Sequence, residues 1–325
     1  MQHFTSIADV QDITGLIKSA QQFKNQPMLH QSLGAAKKIG LLFLNPSLRT
    51  RVSTQLAARQ LGMEVMVLNM DKEGWALEFQ EGAIMNGGTV EHIKDAAPVL
   101  GQYFDLLGIR TFPGMVDREN DYSEHVLQQF IRYAGIPVVS LESATLHPLQ
   151  SLADLMTMTE VMQTGKWFGQ RKPKIVLTWA PHIKPLPQCV ANSFAQWVNA
   201  WEIADLVISH PEGYELDEKF TRGARISYDQ QEALCDADFV YVKNWSSYQP
   251  YGKVLSSDPD WMLTNKKWKM TRQASIMHCL PVRRNVELSD EILDSPFSLV
   301  TQQAANRVWS AQAVLFSLLN DISTK

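Results

Sequence analysis

The sequence predicts an α/β protein made of two doubly wound parallel-sheet domains. Apolar, β-branched-rich runs alternate with stretches of helical periodicity, which is the pattern of βαβ units. About four such runs lie on each side of the Glu142–Pro148 region, so two similar-sized domains are expected to meet there. The length, 325 residues, accommodates both, since domains usually run about 100–200 residues.

In chain order, the expected strands are Lys38–Leu44, Met63–Leu68, Asp105–Ile109 and Pro137–Leu141, then Lys174–Trp179, Asp205–Ser209, Asp238–Val242 and Ser275–Cys279. The first holds the longest clean apolar stretch, Ile39–Leu44, which is strand-sized and far short of the roughly 18 apolar residues of a membrane span. Helical spacing follows at Arg49–Leu61, where Val52 and Leu56 mark an apolar face and Gln60 a polar one. Glu124–Tyr133, Leu149–Met162 and Gln188–Trp201 read similarly, and Ala304–Leu319 closes the chain as a helix. Trp179–Pro187 carries three prolines directly after a strand; fixed φ angles and missing donors make it a stiff, non-helical loop. Lys266–Lys269, with Trp268 among them, reads as a solvated loop with one anchor. No repeat period or low-complexity tract is present.

Composition narrows the function. Hydrophobic residues at 45% and charged residues at 20% are the balance of a globular chain with a full core. A net charge of −4 gives no general basic field, so neither nucleic acid nor a membrane surface is expected as partner. Three cysteines (Cys189, Cys235, Cys279), odd in number and without CxxC spacing, argue against a disulfide framework or a zinc site and for a reducing cytoplasm. The opening MQHFTSIADV has no basic segment followed by an apolar one, so no secretory signal is expected.

Three segments carry chemistry, each just past an expected strand. Asn45-Pro46-Ser47-Leu48-Arg49-Thr50-Arg51 opens a helix, and a strand–turn–helix start presents free backbone N–H groups and the positive end of the helix dipole to an anion. Ser47 and Thr50 add hydroxyls, and Arg49 adds a fork suited to phosphate. Serine before a helix is common as an ordinary cap, but two arginines in the first turn oppose the dipole and need another reason to be there. In the second segment, Glu142 to Gln150, His147 and Gln150 can point into one crevice, although a satisfied loop histidine is the commoner outcome. The third is His278-Cys279-Leu280-Pro281-Val282-Arg283-Arg284, where a cysteine behaving as a small hydrophobe is the default.

SLRTR, HPLQ and HCLP in this order and at these intervals resemble the aspartate/ornithine carbamoyltransferase family, over almost the whole chain to Asn306-Arg307 and the final helix. The family's phosphate motif usually reads STRTR, and Leu48 stands here in place of its second residue. The Asp-x-x-x-Ser-Met-Gly loop that grips free ornithine is missing, as are the aspartate branch's HPLPR ending and substrate loop. GWALE with Trp75, TWAPH, HPEGYEL and YVKNW are similar instead to the branch acting on Nα-acylated ornithine, whose nitrogen is an uncharged amide.

That resemblance implies a carbamoyltransferase fold with a knotted proline-rich loop. It implies a carbamoyl phosphate-binding domain over residues 1–145, joined by a C-terminal helix at 305–325, and an acylornithine-binding domain over 146–304. The implied reaction is attack of a neutral δ-amine on carbamoyl phosphate, in arginine biosynthesis, with no metal or organic cofactor. By the same resemblance, Ser47, Leu48, Arg49 and Thr50 hold phosphate, Arg307 contacts phosphate or carbonyl, and Arg110 and His147 polarise the carbonyl. Gln150 and the backbone at Cys279–Leu280 hold the carbamoyl nitrogen, and Trp75 reaches in from a neighbouring subunit of a homotrimer. Glu142, His182, Lys243 and Arg283 take the acylornithine, Arg283 being favoured over its neighbour Arg284. Cys279 needs no nucleophilic role, because the chemistry has no covalent intermediate. The residue before the Glu91-His92 pair is glutamate in N-acetylornithine enzymes and Val90 here, which favours the longer, anionic N-succinyl group; N-acetylornithine is the alternative acceptor. A relative that binds ligands without turnover is the alternative from another class, against which the intact residue set speaks.

Overall fold

The structure, a computed structural model, describes residues 1–70, 74–165 and 169–323. The chain divides into two compact units. One is Met1–Gly114 with Arg118–Leu149 and Arg307–Lys325; the other is Met115–Asp117 with Gln150–Asn306.

The strands are β1 (Lys38–Phe43), β2 (Glu64–Asn69), β3 (Leu77–Glu78), β4 (Glu91–His92), β5 (Leu106–Arg110), β6 (Val138–Glu142), β7 (Lys174–Trp179), β8 (Asp205–Ser209), β9 (Arg225–Ser227), β10 (Phe239–Lys243) and β11 (Ser275–Met277). The helices are α1 (Ile13–Asn25), α2 (Leu48–Gln60), α3 (Ile93–Tyr103), α4 (Arg118–Tyr122), α5 (His125–Tyr133), α6 (Pro148–Thr164), α7 (Cys189–Trp201), α8 (Glu218–Thr221), α9 (Gln230–Leu234), α10 (Asn265–Trp268), α11 (Asp290–Leu293) and α12 (Val300–Ser323).

In the first unit, β2-β1-β5-β6 form a wholly parallel sheet. The chain steps from β1 outward to β2 and then crosses to β5 on the other side of β1, which makes a topological switch point beside β1. Burial on both faces explains the near-continuous apolar strands: β5 is buried at every residue and β1 at all but Lys38. Leu42, Leu107 and Ile109 pack with Ile93 and Ala97 of α3 and with Leu127 and Phe130 of α5. Gly40 is required by close approach, because a Cβ there would lie 2.8 Å from the Phe104 ring. The α1 Phe23 ring meets Phe316 of α12 edge-on at 5.3 Å.

In the second unit, β11-β10-β7-β8-β9 are again all parallel, with the order reversing beside β7. Val176, Val207, Val240, Val242 and Ile276 form its core with Leu234 and Ile292. Trp179, Trp245 and Tyr214 are fully buried, and each indole N–H still has a carbonyl: Trp179 donates to Trp245 and Trp245 to Tyr214. The proline-rich segment after β7 is irregular, as expected. It is laced to the strand-end segment 243–246 by the Asn244 side chain on the Ala180 carbonyl (2.6 Å) and Ser246 N–H on Leu186 (2.9 Å).

All eight expected strands form, two with the expected ends and the others with ends shifted by one or two residues; the longest shortening is at β11, which stops at Met277 and leaves Cys279 outside the strand. Two expectations are overturned. Lys266–Lys269 is not a solvated loop: α10 covers Asn265–Trp268, Lys267 Nζ donates to Gln230 Oε1 at 2.5 Å and Trp268 packs on the core. Val52 and Leu56 are not the buried face of α2: they are 46% and 43% exposed, and the buried face is Thr50, Ser53, Thr54, Ala57 and Ala58. Only small side chains let the helix lie close on the sheet, so the larger apolar ones are left outside. No helix is long and apolar enough to cross a membrane, among the described residues.

Candidate active site

Every chemistry-bearing segment of the first unit leaves the carboxyl edge of its sheet, where open α/β folds bind ligands. β1 runs into the 45–51 turn, β5 ends on Arg110 and β6 ends on Glu142. Ser47 is the N-cap of α2 in extended conformation, and its side chain makes no capping bond. The hydroxyl and the first-turn N–H groups of Leu48, Arg49 and Thr50 are therefore available to an anion. Leu48, the residue that departs from the family's motif, is 74% exposed.

Residues far apart in sequence converge on one buried cluster. Arg307 donates to Thr50 Oγ1 at 2.6 Å and faces His147 Nε2 at 3.4 Å. Arg110 donates to the Glu142 carboxylate and stacks over the Phe112 ring at 4.4 Å. Glu142 in turn lies 3.5 Å from His147 Nε2. The Nε groups of Arg49 and Arg110 are buried without a hydrogen-bond acceptor among the described residues. This is a set of directed cationic donors around one carboxylate and one imidazole, a suitable environment for an anion whose charge shifts during reaction.

Burial drives the His147 pKa down from 6.5 to about 3; Glu142 pulls it up, while Arg307, Arg110 and Arg49 push it down. The ring is thus neutral at physiological pH and has one N–H to donate and one lone pair to accept.

The turn that carries Glu142 and His147 is held by a residue sequence reading passed over. Glu124, in left-handed conformation at φ 55°, accepts from Ser143 Oγ (2.6 Å), Ala144 N–H (3.1 Å), Thr145 N–H (2.7 Å) and Thr145 Oγ1. It precedes α5 and looks like an ordinary helix-start residue, so nothing local in the sequence marks this function.

The second unit carries its own set. His182 follows β7, Lys243 ends β10, and Cys279, Leu280 and Arg283 follow β11. Arg283 Nε donates to His182 Nε2 at 3.0 Å, whereas Arg284 is committed to Asp290 and Asp294 at 2.7–2.9 Å. Lys243 is only 7% exposed. Leu280 has φ 55° and donates its N–H to His278 Nδ1 at 2.9 Å, with His278 Nε2 3.4 Å from Glu287. Burial pushes the Glu287 pKa up, but bonds from His278 and the Arg283 N–H, with the charges of His278 and Lys243, bring it down to about 2. Gln150, in the first turn of α6, donates to Asp154 at 2.7 Å. Glu142, expected with the acylornithine residues, is in contact with Arg110 and His147 of the first cluster.

Trp75 and Val90 belong to a separate small module. β3 and β4 pair in parallel, Val90 N–H bonds the Ala76 carbonyl at 2.8 Å, and the Trp75 indole donates to Glu91 at 2.7 Å. Both side chains are largely exposed, 56% and 64%. Among the described residues, no hydrogen bond or ring contact joins either to the cluster around His147. Nor do three or more His, Cys, Asp or Glu side chains converge as a metal-ligand set among those residues.

Two parallel α/β units with phosphate-type donors at the sheet edge of one and mixed cationic groups at that of the other define a two-substrate group-transfer fold. Residues 2–160 match the family description "Aspartate/ornithine carbamoyltransferase, carbamoyl-P binding domain" and residues 188–318 match "Aspartate/ornithine carbamoyltransferase, Asp/Orn binding domain". The chain belongs to the aspartate/ornithine carbamoyltransferase family. It is 46% identical over 324 residues to N-succinylornithine carbamoyltransferase of Bacteroides fragilis (strain 638R), covering 99% of this chain and 100% of that one. To N-acetylornithine carbamoyltransferase of Xanthomonas campestris pv. campestris it is 34% identical over 338 residues, covering 98% of each. A glutamate-to-valine variant of N-acetyl-L-ornithine transcarbamylase, solved with carbamyl phosphate and N-succinyl-L-norvaline, superposes with a TM-score of 0.90 at 34% identity, over 98% of this chain and 100% of that chain.

Proposed function

We propose that the protein transfers the carbamoyl group of carbamoyl phosphate to the δ-amine of N-succinyl-L-ornithine, giving N-succinyl-L-citrulline and phosphate. The observation that carries this reading is the 46% full-length identity to a protein named N-succinylornithine carbamoyltransferase, against 34% to N-acetylornithine enzymes. Val90 supports the same choice. The succinyl group ends in a carboxylate, and a glutamate in place of Val90 would set like charges together, at a cost on the order of several kcal/mol. The solved glutamate-to-valine variant carries an N-succinyl ligand, which is consistent with a single such side chain governing the acyl group.

The phosphate is held by the Ser47 hydroxyl, by the N–H groups of Leu48, Arg49 and Thr50, and by the guanidiniums of Arg49 and Arg307. Arg110 and neutral His147 direct donors at the carbonyl oxygen. Each such donor that strengthens as charge develops there lowers the barrier by about 2.7–4 kcal/mol. The δ-amine lone pair forms the new C–N bond and the C–O bond to phosphate breaks. The departing phosphate oxygen takes the bonding pair and can receive the proton the amine loses. Gln150 and the backbone at Cys279–Leu280 hold the carbamoyl nitrogen. Lys243, Arg283 and His182 meet the two carboxylates of N-succinylornithine, and Glu142 accepts from its amide N–H or amine. Neither metal nor organic cofactor enters a step.

The working form is a homotrimer to which Trp75 contributes from a neighbouring subunit. Exposed Trp75 and the uncovered apolar stripe Leu48, Val52 and Leu56 on α2 support an assembly that covers them. Cytoplasmic enzyme in arginine biosynthesis is the corresponding cellular role.

Incubating the purified protein with carbamoyl phosphate and, separately, N-succinyl-, N-acetyl- and free L-ornithine tests the assignment. Turnover should fall in that order; faster turnover of free ornithine than of either acylated form refutes the branch.

A further inference from the structure

Behind Gln150 lies a buried polar network whose direction is fixed at its far end. The His278 backbone N–H can only donate, and it donates to Gln303 Oε1 at 2.9 Å. Gln303 must then turn Nε2 the other way, where it donates to Asp154 Oδ1 at 2.7 Å. The same oxygen accepts from Gln150 Nε2, also at 2.7 Å. Asp154 and Gln303 are fully buried and Gln150 is 1% exposed. A carboxylate only accepts, so Gln150 is compelled to face Asp154 with its Nε2. Its remaining atom, Oε1, is buried and accepts no hydrogen bond among the described residues. Asp154 stands one helical turn from Gln150 on α6, the spacing that lets two side chains meet.

We infer that Asp154 is a positioning residue for donor selectivity: it pins the Gln150 amide so that Gln150 presents only an acceptor, which selects an acyl phosphate bearing N–H in preference to one bearing a methyl group. An unpinned glutamine amide can turn over and offer N or O to suit its ligand, and so discriminates poorly. A pinned one leaves a buried acceptor unpaired whenever the ligand has no hydrogen to give, which is the situation that produces strong rejection. This rests on the proposed function, in which Gln150 faces the carbamoyl nitrogen.

The test compares the affinities of carbamoyl phosphate and acetyl phosphate, which differ in an amino against a methyl group, in the full-length protein. The wild type should favour carbamoyl phosphate by roughly tenfold or more, and Gln150→Leu should bring the ratio close to one. Asp154→Leu should lower the ratio about five- to tenfold, while Asp154→Asn, which retains an acceptor oxygen, should keep most of it. A merely structural role for Asp154 would weaken both ligands alike and leave the ratio unchanged; that outcome overturns the inference. If Asp154→Leu does not fold, the wild type and Gln150→Leu still decide, since equal binding of both ligands by the wild type, or an unchanged ratio in Gln150→Leu, overturns it. A wild type that transfers the carbamoyl group but binds both acyl phosphates equally refutes this inference alone. A wild type that binds neither refutes the proposed function with it.

Discussion

Replacing Glu124 by Gln should damage both stability and turnover, although residue 124 is expected to touch no substrate. Three of the four donors it receives reach Oε1, and Ala144 N–H reaches Oε2. Glutamine can keep the first three as neutral bonds, losing the difference between about 1.5–3 kcal/mol for a charged acceptor and about 1 for a neutral one. The Ala144 N–H then faces an NH2 group and is left unpaired, at about 1–3 kcal/mol. These losses share one turn and are not additive, so a total of about 3 kcal/mol is expected. In thermal unfolding that is roughly 6–12 °C, taking about 2–4 °C per kcal/mol for a unit of this size. Glu142 and His147 sit at the two ends of the loosened turn. The kcat/KM for carbamoyl transfer should therefore fall by about tenfold or more, in line with the cost of small misplacements at a reacting centre. Glu124→Gly separates carboxylate from backbone. It relieves the left-handed φ, worth about 1–2 kcal/mol, yet loses all four bonds and should be the worse variant. A Gln variant with unchanged melting temperature and kcat/KM would refute the reasoning. A Gly variant as stable as the wild type would show that strain, not bonding, dominates at this position.

His147 predicts an acid instability with a definite sign. Its folded pKa of about 3 lies below the ordinary 6.5, so the stability it confers is complete above 6.5 and drains away as pH falls toward 3. At pH 5 the loss is about 2 kcal/mol, being the roughly 1.5 pH units below 6.5 at 1.36 kcal/mol each. His147→Gln should lack that part of the pH dependence in paired melts at pH 7.5 and 5.0; parallel curves for the two proteins would sink the assignment. Val90→Glu should shift preference from N-succinyl- toward N-acetylornithine by about 1–3 kcal/mol in relative kcat/KM, and an unmoved ratio would end the electrostatic account of Val90. Mixing Trp75→Ala with Arg110→Ala subunits should restore activity through hybrid trimers, whereas hybrids that form and stay inactive would count against a shared site.

The strands were legible because a parallel strand buried on both faces is apolar along nearly its whole length, as β5 and β10 are up to their last residues, Arg110 and Lys243. The segments bearing chemistry were legible for a related reason: each directly follows such a strand, so its place at the sheet edge comes with the strand. The supporting residues were not. Glu124, Asp154, Gln303 and Glu287 act through contacts with partners from 4 to 149 residues away. Only Asp154, one turn after Gln150 on an expected helix, had a spacing that could have exposed it. The short strands β3, β4 and β9 were equally hidden, since two or three residues cannot display a period.

Helix α2 shows why a correct period can still place a face wrongly. Leu48, Val52 and Leu56 recur every four residues, and that recurrence states that one side of the helix is apolar. It does not state what covers that side. The sheet of the same chain takes the opposite side instead, because Thr50, Ser53, Thr54, Ala57 and Ala58 are small enough for close approach, and Thr50 is needed there to meet Arg307. Turning the helix to bury Leu56 would carry Thr50 away from that guanidinium, so the phosphate-side geometry and the burial of the apolar stripe make opposing demands on one rotation. A second copy of the chain, as in the proposed trimer, would resolve the conflict: it would cover Leu48, Val52 and Leu56 while the helix stays in the orientation that the Thr50–Arg307 contact requires. On this argument the proposed assembly is coupled to the chemistry through α2 itself, in addition to any contribution from Trp75 of a neighbouring subunit.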